Sequence, residues 1–548
     1  MEHHPEIETV TLVAAEFKSL AKVGGLADVV ADLALHLTRR SIAVRVLLPG
    51  YGPPPPGALL ETSVDLPFGA GHRLFTLYHL DIQGTAVYLI HEPGLFDGEN
   101  ASIYIDSNAR HRGPFEDDAQ RFAFFCSACA WLLEHHFPAS ARRVVHCHDW
   151  HTGTLPLLIR MTTAFPRCRR TTRFMFTIHN LDYQGIRPLW GHAAESLPSL
   201  QSWFPDVMDE IATHPEFSSI RDPAHPHCYN PMRTGIRLSH QVTTVSRTYA
   251  REILLPDHPG EGRIGGRGLE SDLQQVSDQG RLTGILNGID PTEYDPQLLV
   301  PPFGPHRSSW VEAKQVHKAR VLNWLLKPDP TVATSRSMSE GPSGESRKTE
   351  LPLAVVVSRL VHQKIGLLLE TTPSGDSALQ QLDRLPLQLV ILGLGELEPQ
   401  LRLAVQNLPH GRVFLFSGFS PEVANRLYAA ADLFLMPSLF EPCGISQLIA
   451  MRFGGLPVAH LVGGLADTVM HASTGFTFKG TSTAHQANRF VETVQDAVEL
   501  FQSRPATFRS MQVNAMKTHF TWDASTLQYA ALYEKMSTSD AIRHYPGT

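Results

Sequence analysis

The sequence predicts an α/β protein of two doubly wound domains, each a mainly parallel sheet with helices on both faces. Three observations carry that expectation. Short apolar runs alternate with helix-period patterns in both halves of the chain. Most of those runs end in glycine, charged or imidazole residues, where a parallel sheet presents its ligand-binding groups. A heptapeptide almost recurs, GGLADVV at 24–30 and GGLADTV at 463–469. Two similar strand-to-helix loops facing one cleft would produce it; coincidence in a Gly- and Ala-rich chain is the alternative. At 548 residues the chain is too long for one ordinary core.

Residues 9–15, TVTLVAA, are the first expected strand, and 16–22 a loop. Gly24 and Gly25 open a helix in which Leu26, Val29, Val30, Leu33 and Leu37 share one face. Residues 43–48 are the next strand, closed by Pro49 and Gly50. Lys22 stands just before the glycines, where an ammonium and free backbone N–H groups can meet one phosphate. A solvated surface lysine is the other reading. Residues 74–80 and 85–90 read as a hairpin or a β-rich insertion, 97–114 as a polar loop near the cleft, and 115–136 as one long helix. Cys126 and Cys129 fall inside that apolar helix, so their C-x-x-C spacing is read as core packing.

Residues 144–150, VVHCHDW, run from an apolar strand into polar groups. His146 and His148 share a strand face. With Asp149 and His151 they form one possible metal set; holding sugar hydroxyls at a strand end is the favoured alternative. Residues 174–178 form a strand ending in His179 and Asn180, again polar groups at a carboxyl end, or else a satisfied structural histidine.

Residues 241–246 are a strand followed by a helix. Residues 282–289 read as the first strand of a new domain, after a Gly-rich interdomain region at 255–280. The expected boundaries are 1–260 and 281–518, with a terminal helix at 519–536. A polar insertion at 329–350 is expected to be disordered. Residues 353–357, 388–392 and 412–416 are strands of the second domain. Arg359 and Lys364 follow the first of these, where two fixed cations can hold a diphosphate without metal; a surface ion pair is the plain alternative.

Residues 438–469 organise the rest. An apolar strand at 433–436 leads to Glu441, Pro442, Cys443 and Gly444, then a short helix beginning near Ile445. Gly454, Gly455 and Pro457 stop that helix. A further strand runs to Val462, and Gly463 and Gly464 open the next helix. A carboxylate at a strand end, helix-opening loops and glycines that admit close approach are the parts of an anion-and-sugar pocket.

Composition narrows the class. The chain is 43% hydrophobic and 18% charged with net charge −7 and mixed signs, which supports no nucleic-acid or membrane surface. No apolar run approaches a membrane span, and residues 1–10 lack the pattern of a signal peptide. Six cysteines fit a reducing compartment, and a cytoplasmic location is expected.

AKVGGLADVV, HCHDWHTG, FTIHNLDYQG, TVSRTYAREI, GILNGID, SRLVHQK and FEPCGISQL with GGLADTV, in that order from Thr9 to about Tyr533, resemble bacterial glycogen synthase and plant starch synthase. The resemblance implies two Rossmann-like domains facing a deep cleft, the GT-B architecture, with a C-terminal helix crossing back to the first domain. It implies retaining transfer of glucose from a nucleotide sugar, usually ADP-glucose, to the non-reducing end of an α-1,4-glucan, with no cofactor or metal. Lys22 would contact the donor diphosphate, and Arg359 and Lys364 would neutralise it as it leaves. Asp149 would lie in the acceptor pocket. His179, with Asn180 beside it, would place its carbonyl near the anomeric carbon. Glu441 would hold the glucose hydroxyls, helped by the N–H groups of Cys443, Gly444 and Ile445. Gly24, Gly25, Gly463 and Gly464 would let backbone approach the substrates. The competing readings are a related glycosyltransferase with another donor or acceptor, and a non-catalytic glucan-binding protein.

This chain departs from the family pattern in places. Gln363-Lys364-Ile365-Gly366 is one residue short, Asp182 is acidic, and residues 230–236 read NPMRTGI. His460 and Val462 replace the usual arginine and threonine. A titratable His460 beside the diphosphate would make donor binding weaken as pH rises through the imidazole range.

Overall fold

The computed structural model describes residues 9–97, 102–104, 116–138, 143–191, 198–326, 335–338, 350–418 and 420–538. The first sheet contains β1 (Thr9–Val13), β2 (Val44–Pro49), β3 (Leu59–Phe68), β4 (Gly71–Ile82), β5 (Thr85–His91), β6 (Arg143–His148) and β7 (Thr172–Ile178). A small separate ribbon pairs β8 (Arg187–Pro188) with β9 (Cys228–Tyr229), after which β10 (Gln241–Thr244) and β11 (Leu282–Gly284) return to the first sheet. Its order is β11-β10-β7-β6-β1-β2-β5-β4-β3. From β11 to β5 every pairing is parallel; β4 and β3 add antiparallel at one edge.

Parallel strands need crossover helices on both faces, so these strands are apolar on both sides. Val10, Leu12 and Val13 of β1 and Val144, Val145 and Cys147 of β6 are fully buried. The hairpin expected at 74–90 is β4 and β5, turning at Gln83 and Gly84, both at positive φ as a tight two-residue turn requires. The helix expected at 115–136 is helical over Glu116–Trp131 and widens to a π-helical turn at Leu132–His136. Cys126 and Cys129 lie fully buried in it, and burial pushes both thiols up, Cys126 to about 12.

The second sheet contains β12 (Ser335–Met338), β13 (Leu353–Val357), β14 (Gln388–Gly393), β15 (Val413–Ser417), β16 (Leu433–Met436), β17 (Leu456–His460) and β18 (Phe476–Phe478), in the order β12-β15-β14-β13-β16-β17-β18. β13 to β18 pair in parallel.

Two expectations are corrected. Residues 282–284 do not open the second domain; β11 pairs in parallel with β10 at the far edge of the first sheet. A three-residue strand carries too little pattern to name its sheet, and the register Val242 to Leu282 decides it. Within the insertion expected to be disordered, residues 335–338 form an edge strand, β12, which pairs antiparallel with β15. Residues 329–334 and 339–349 lie outside the described residues, as do 98–101 and 105–114 of the polar loop.

The helix Trp522–Thr538 follows the second domain in sequence but packs on the first. Trp522, Tyr529 and Tyr533 are fully buried in one cluster with β1, β2 and the Gly25–Arg39 helix. The Tyr533 hydroxyl and His146 Nδ1 are hydrogen-bonded at 2.7 Å.

Candidate active site

The carboxyl ends of β1, β6 and β7 in the first sheet face the loops after β13 and β16 in the second. An ideal Cβ on Gly25 would stand 3.5 Å from Ile445 Cδ1, so the two glycine-bearing regions approach each other. The Asn180 amide lies 3.5 Å from the Gln363 side chain across the same gap.

On the second-domain side, Glu441 is 4% exposed. Its carboxylate is ion-paired with the Lys364 ammonium, and Ser438 Oγ lies 3.4 Å away. Lys364 sits in the first turn of the His362–Leu369 helix. Gln363 ties the two segments together: its carbonyl accepts the Leu439 N–H at 2.9 Å and its side-chain amide donates to Phe440 O at 3.2 Å. Arg359 is exposed after β13 and acts electrostatically on Tyr183 of the first domain. Among the described residues no hydrogen bond engages the N–H groups of Cys443, Gly444 or Ile445. Gly444, at φ +75°, turns the chain there, and Gln447 braces it by donating to the carbonyls of Cys443 and Gly444.

Gly463 and Gly464 are required by packing within the second domain. A Cβ on Gly463 would stand 1.9 Å from Glu441 O, and one on Gly464 would stand 2.2 Å from Cys443 O. These glycines let the second GGLAD loop pack against the Glu441 loop, before any substrate is considered. Gly463→Ala, also strained by φ +45°, is expected to destabilise the protein by roughly 3 kcal/mol in denaturant unfolding.

On the first-domain side the glycine loop is already occupied. Glu16, 3% exposed at the end of β1, accepts the N–H groups of Val23 at 2.7 Å and Gly24 at 2.8 Å, and the Tyr104 hydroxyl at 2.6 Å. The Val23 and Gly24 N–H groups are thus bonded to a carboxylate in this structure. Lys22 is ion-paired with Asp28 at 2.7 Å and keeps a partly exposed ammonium. Sequence reasoning missed Glu16, although a carboxylate at a strand's carboxyl end was the signal used for Asp149.

Asp149 follows β6 with φ +56° and ψ 179°, a region almost confined to glycine. The surroundings hold it there: its N–H donates to Thr177 O at 3.0 Å, and its carbonyl accepts the Thr152 hydroxyl at 3.0 Å. The carboxylate accepts the His179 N–H at 2.7 Å, with the Asn180 N–H at 3.4 Å. Burial raises its pKa to about 7 against the lowering effect of those amides.

The possible metal set does not converge. His146 and His148 do share a face, with ring centroids 4.1 Å apart. His148 Nδ1 is hydrogen-bonded to His179 Nε2 at 3.0 Å, while the His151 ring lies tilted against Trp150 with centroids 4.4 Å apart. Among the described residues no three or more His, Cys, Asp or Glu side chains gather as metal ligands.

His460 is also corrected. It is 2% exposed, bonded through Nδ1 to Ser438 O at 2.9 Å and stacked 5.0 Å from Phe478. Burial lowers its pKa to about 4, so it is neutral where a diphosphate would need a cation. A flat contribution of His460 to donor affinity between pH 5.5 and 8 is expected. Titration calorimetry with ADP on wild type and His460→Gln checks it.

Two doubly wound domains facing each other beside the Lys364–Glu441 ion pair have the architecture of a GT-B glycosyltransferase. Residues 9–275 match the family described as starch synthase catalytic domain, and residues 342–504 match glycosyl transferases group 1. The chain is 31% identical to the glycogen synthase of Desulfitobacterium hafniense over 96% of this chain and 99% of that one. It is 32% identical to that of Paracoccus denitrificans over the same shares. The catalytic domain of starch synthase IV from Arabidopsis thaliana, bound to ADP and acarbose, superposes with a TM-score of 0.77 at 28% identity, covering 97% of this chain and 100% of that one. Sucrose-phosphate synthase from Thermosynechococcus elongatus shares the fold, with a TM-score of 0.54 at 16% identity over 96% and 99% of the two chains. The chain belongs to the glycogen synthase family. Among the described residues no helix is long and apolar enough to cross a membrane.

Proposed function

We propose that the protein transfers glucose from ADP-glucose to the non-reducing end of an α-1,4-glucan with retention of configuration. The observation that carries this reading is the Lys364–Glu441 pair beside unengaged N–H groups at residues 443–445. The carboxylate suits glucose hydroxyls, which are donors. The ammonium suits the diphosphate, on which negative charge grows as the glycosidic bond breaks. Arg359 and Lys22 add positive charge from the two sides of the cleft. His179 is fixed through its N–H by Asp149 and through its ring by His148, which supports a role for its backbone carbonyl beside the transferred sugar. A cavity of about 560 Å³ lined by Trp150, Tyr183, Gln184, Arg187 and Arg267 adjoins this region and suits the acceptor chain. The relative bound to ADP supports the choice of nucleotide.

The test is an initial-rate assay of purified protein with glycogen, supplying ADP-glucose and UDP-glucose separately and following nucleotide release and chain lengthening. Acceptor-dependent elongation with ADP-glucose is expected. Elongation with UDP-glucose alone moves the donor, and no elongation with either overturns the reading.

A further inference from the structure

The segment TVSRTYAREI takes no part in the site described above, yet it bonds across the domain interface to Pro442 and to the 463–467 loop. β10 ends at Thr244, and Ser246 caps the helix Arg247–Glu252 by accepting the Tyr249 N–H at 3.1 Å. The same fully buried hydroxyl donates to Pro442 O at 2.6 Å, the residue after Glu441. One turn on, Thr248 donates its N–H at 2.9 Å and its hydroxyl at 2.6 Å to the Asp467 carboxylate. At the helix end both carboxylate oxygens of Glu252 lie 3.0 Å from the Gly463 nitrogen and accept its N–H. The neighbouring Gly464 N–H donates to Glu441 O at 3.0 Å and to Pro442 O at 3.2 Å.

We infer that Ser246, Thr248 and Glu252 are positioning residues through which the first domain fixes the second domain's Glu441 loop. Their contacts land on Pro442, Gly463 and Asp467, so the loops that frame Glu441 and residues 443–445 are clamped from the opposite domain. Without these partners the Glu441 loop keeps its Lys364, Gln363 and Gly464 contacts but loses the bond to Pro442 O, and the 463–467 loop behind it loses its anchors on Gly463 and Asp467. Donor-sugar geometry is therefore completed only when the domains are together, which couples chemistry to cleft closure. The bonds fall on two loops, at Pro442 and at 463–467, both adjoining Glu441. Gln486, which donates to Gly262 O at 3.1 Å across the same interface, contacts neither framing loop and serves as the comparison.

This inference rests on the reading of Glu441 as the donor-sugar carboxylate, and the experiment separates the two. Full-length wild type, Ser246→Ala, Ser246→Thr, Glu252→Ala, Glu252→Gln and Gln486→Ala are compared for kcat and KM with ADP-glucose and glycogen. ADP affinity is measured by calorimetry, and Tm by scanning. The alanine variants at 246 and 252 are expected to lose at least tenfold in kcat with ADP Kd within twofold of wild type. Ser246→Thr and Glu252→Gln, which keep a hydroxyl or an amide acceptor, are expected to recover most of the rate. Gln486→Ala is expected to keep it. Wild-type kcat in both alanine variants overturns the inference. So does a loss of rate that follows Tm in every variant, without rescue by threonine or glutamine. A wild-type protein that turns over no ADP-glucose overturns the donor reading itself and this inference with it, before any variant is compared.

Discussion

Glu441→Ala is expected to lower kcat by about 10²–10³ with ADP-glucose, the usual cost of removing one preorganised contact to a transition state. Glu441→Gln keeps the shape and loses the charge, so it separates hydroxyl recognition from the pairing with Lys364. Lys364→Ala is expected to cost a similar factor. It also leaves Glu441 buried without its counter-ion, which adds a stability loss on the order of 3 kcal/mol. Because the two groups touch, the double variant should lose far less than the product of the single losses. Wild-type rates in either single variant would remove the pair from catalysis.

Asp149 is expected to give the pH profile its acidic limb. Its carboxyl titrates near 7 in the folded protein against 3.8 for the ordinary group. A raised folded pKa means that the stability contribution is complete below about pH 4 and is lost as pH rises through 7. The cost of ionising the buried acid amounts to roughly 4 kcal/mol. Activity and stability therefore run in opposite directions. The carboxylate that holds the His179 and Asn180 amides forms as pH rises, so the rate should climb through an inflection near pH 7 while the unfolding midpoint falls. Asp149→Asn still accepts the His179 N–H and tolerates positive φ. It should abolish the inflection and flatten the stability profile between pH 5 and 8. An unchanged inflection in Asp149→Asn would remove Asp149 as the origin of the limb.

Much of the fold was legible because strand and helix patterns are local. Each apolar run at 9–13, 353–357 and 433–436 is a buried strand, and the polar groups after it stand at a sheet edge. Lys364 and Glu441 were readable as candidates from residue type and position, although 77 residues separate them in sequence. Glu16 was passed over because VAAE reads equally well as a strand running into an ordinary loop. Only its distance to the Val23 and Gly24 amides shows that it fills the glycine loop. The same limit hid Ser246 and Glu252, whose partners lie about two hundred residues away.

The sequence by itself determined two doubly wound domains, a family and the residue types at each strand end, because these follow from periodicity and short-range motifs. The tertiary structure decided what those residues face. It placed β11 in the first sheet, gave β12 an edge to pair with, and made Gly463 and Gly464 a packing requirement of the Glu441 loop. It also turned His460 from an expected cation into a neutral core residue. Burial and hydrogen-bond partners arise between segments distant in sequence. Desolvation, which sets the charge of His460 and Asp149, exists only once the chain has closed around them.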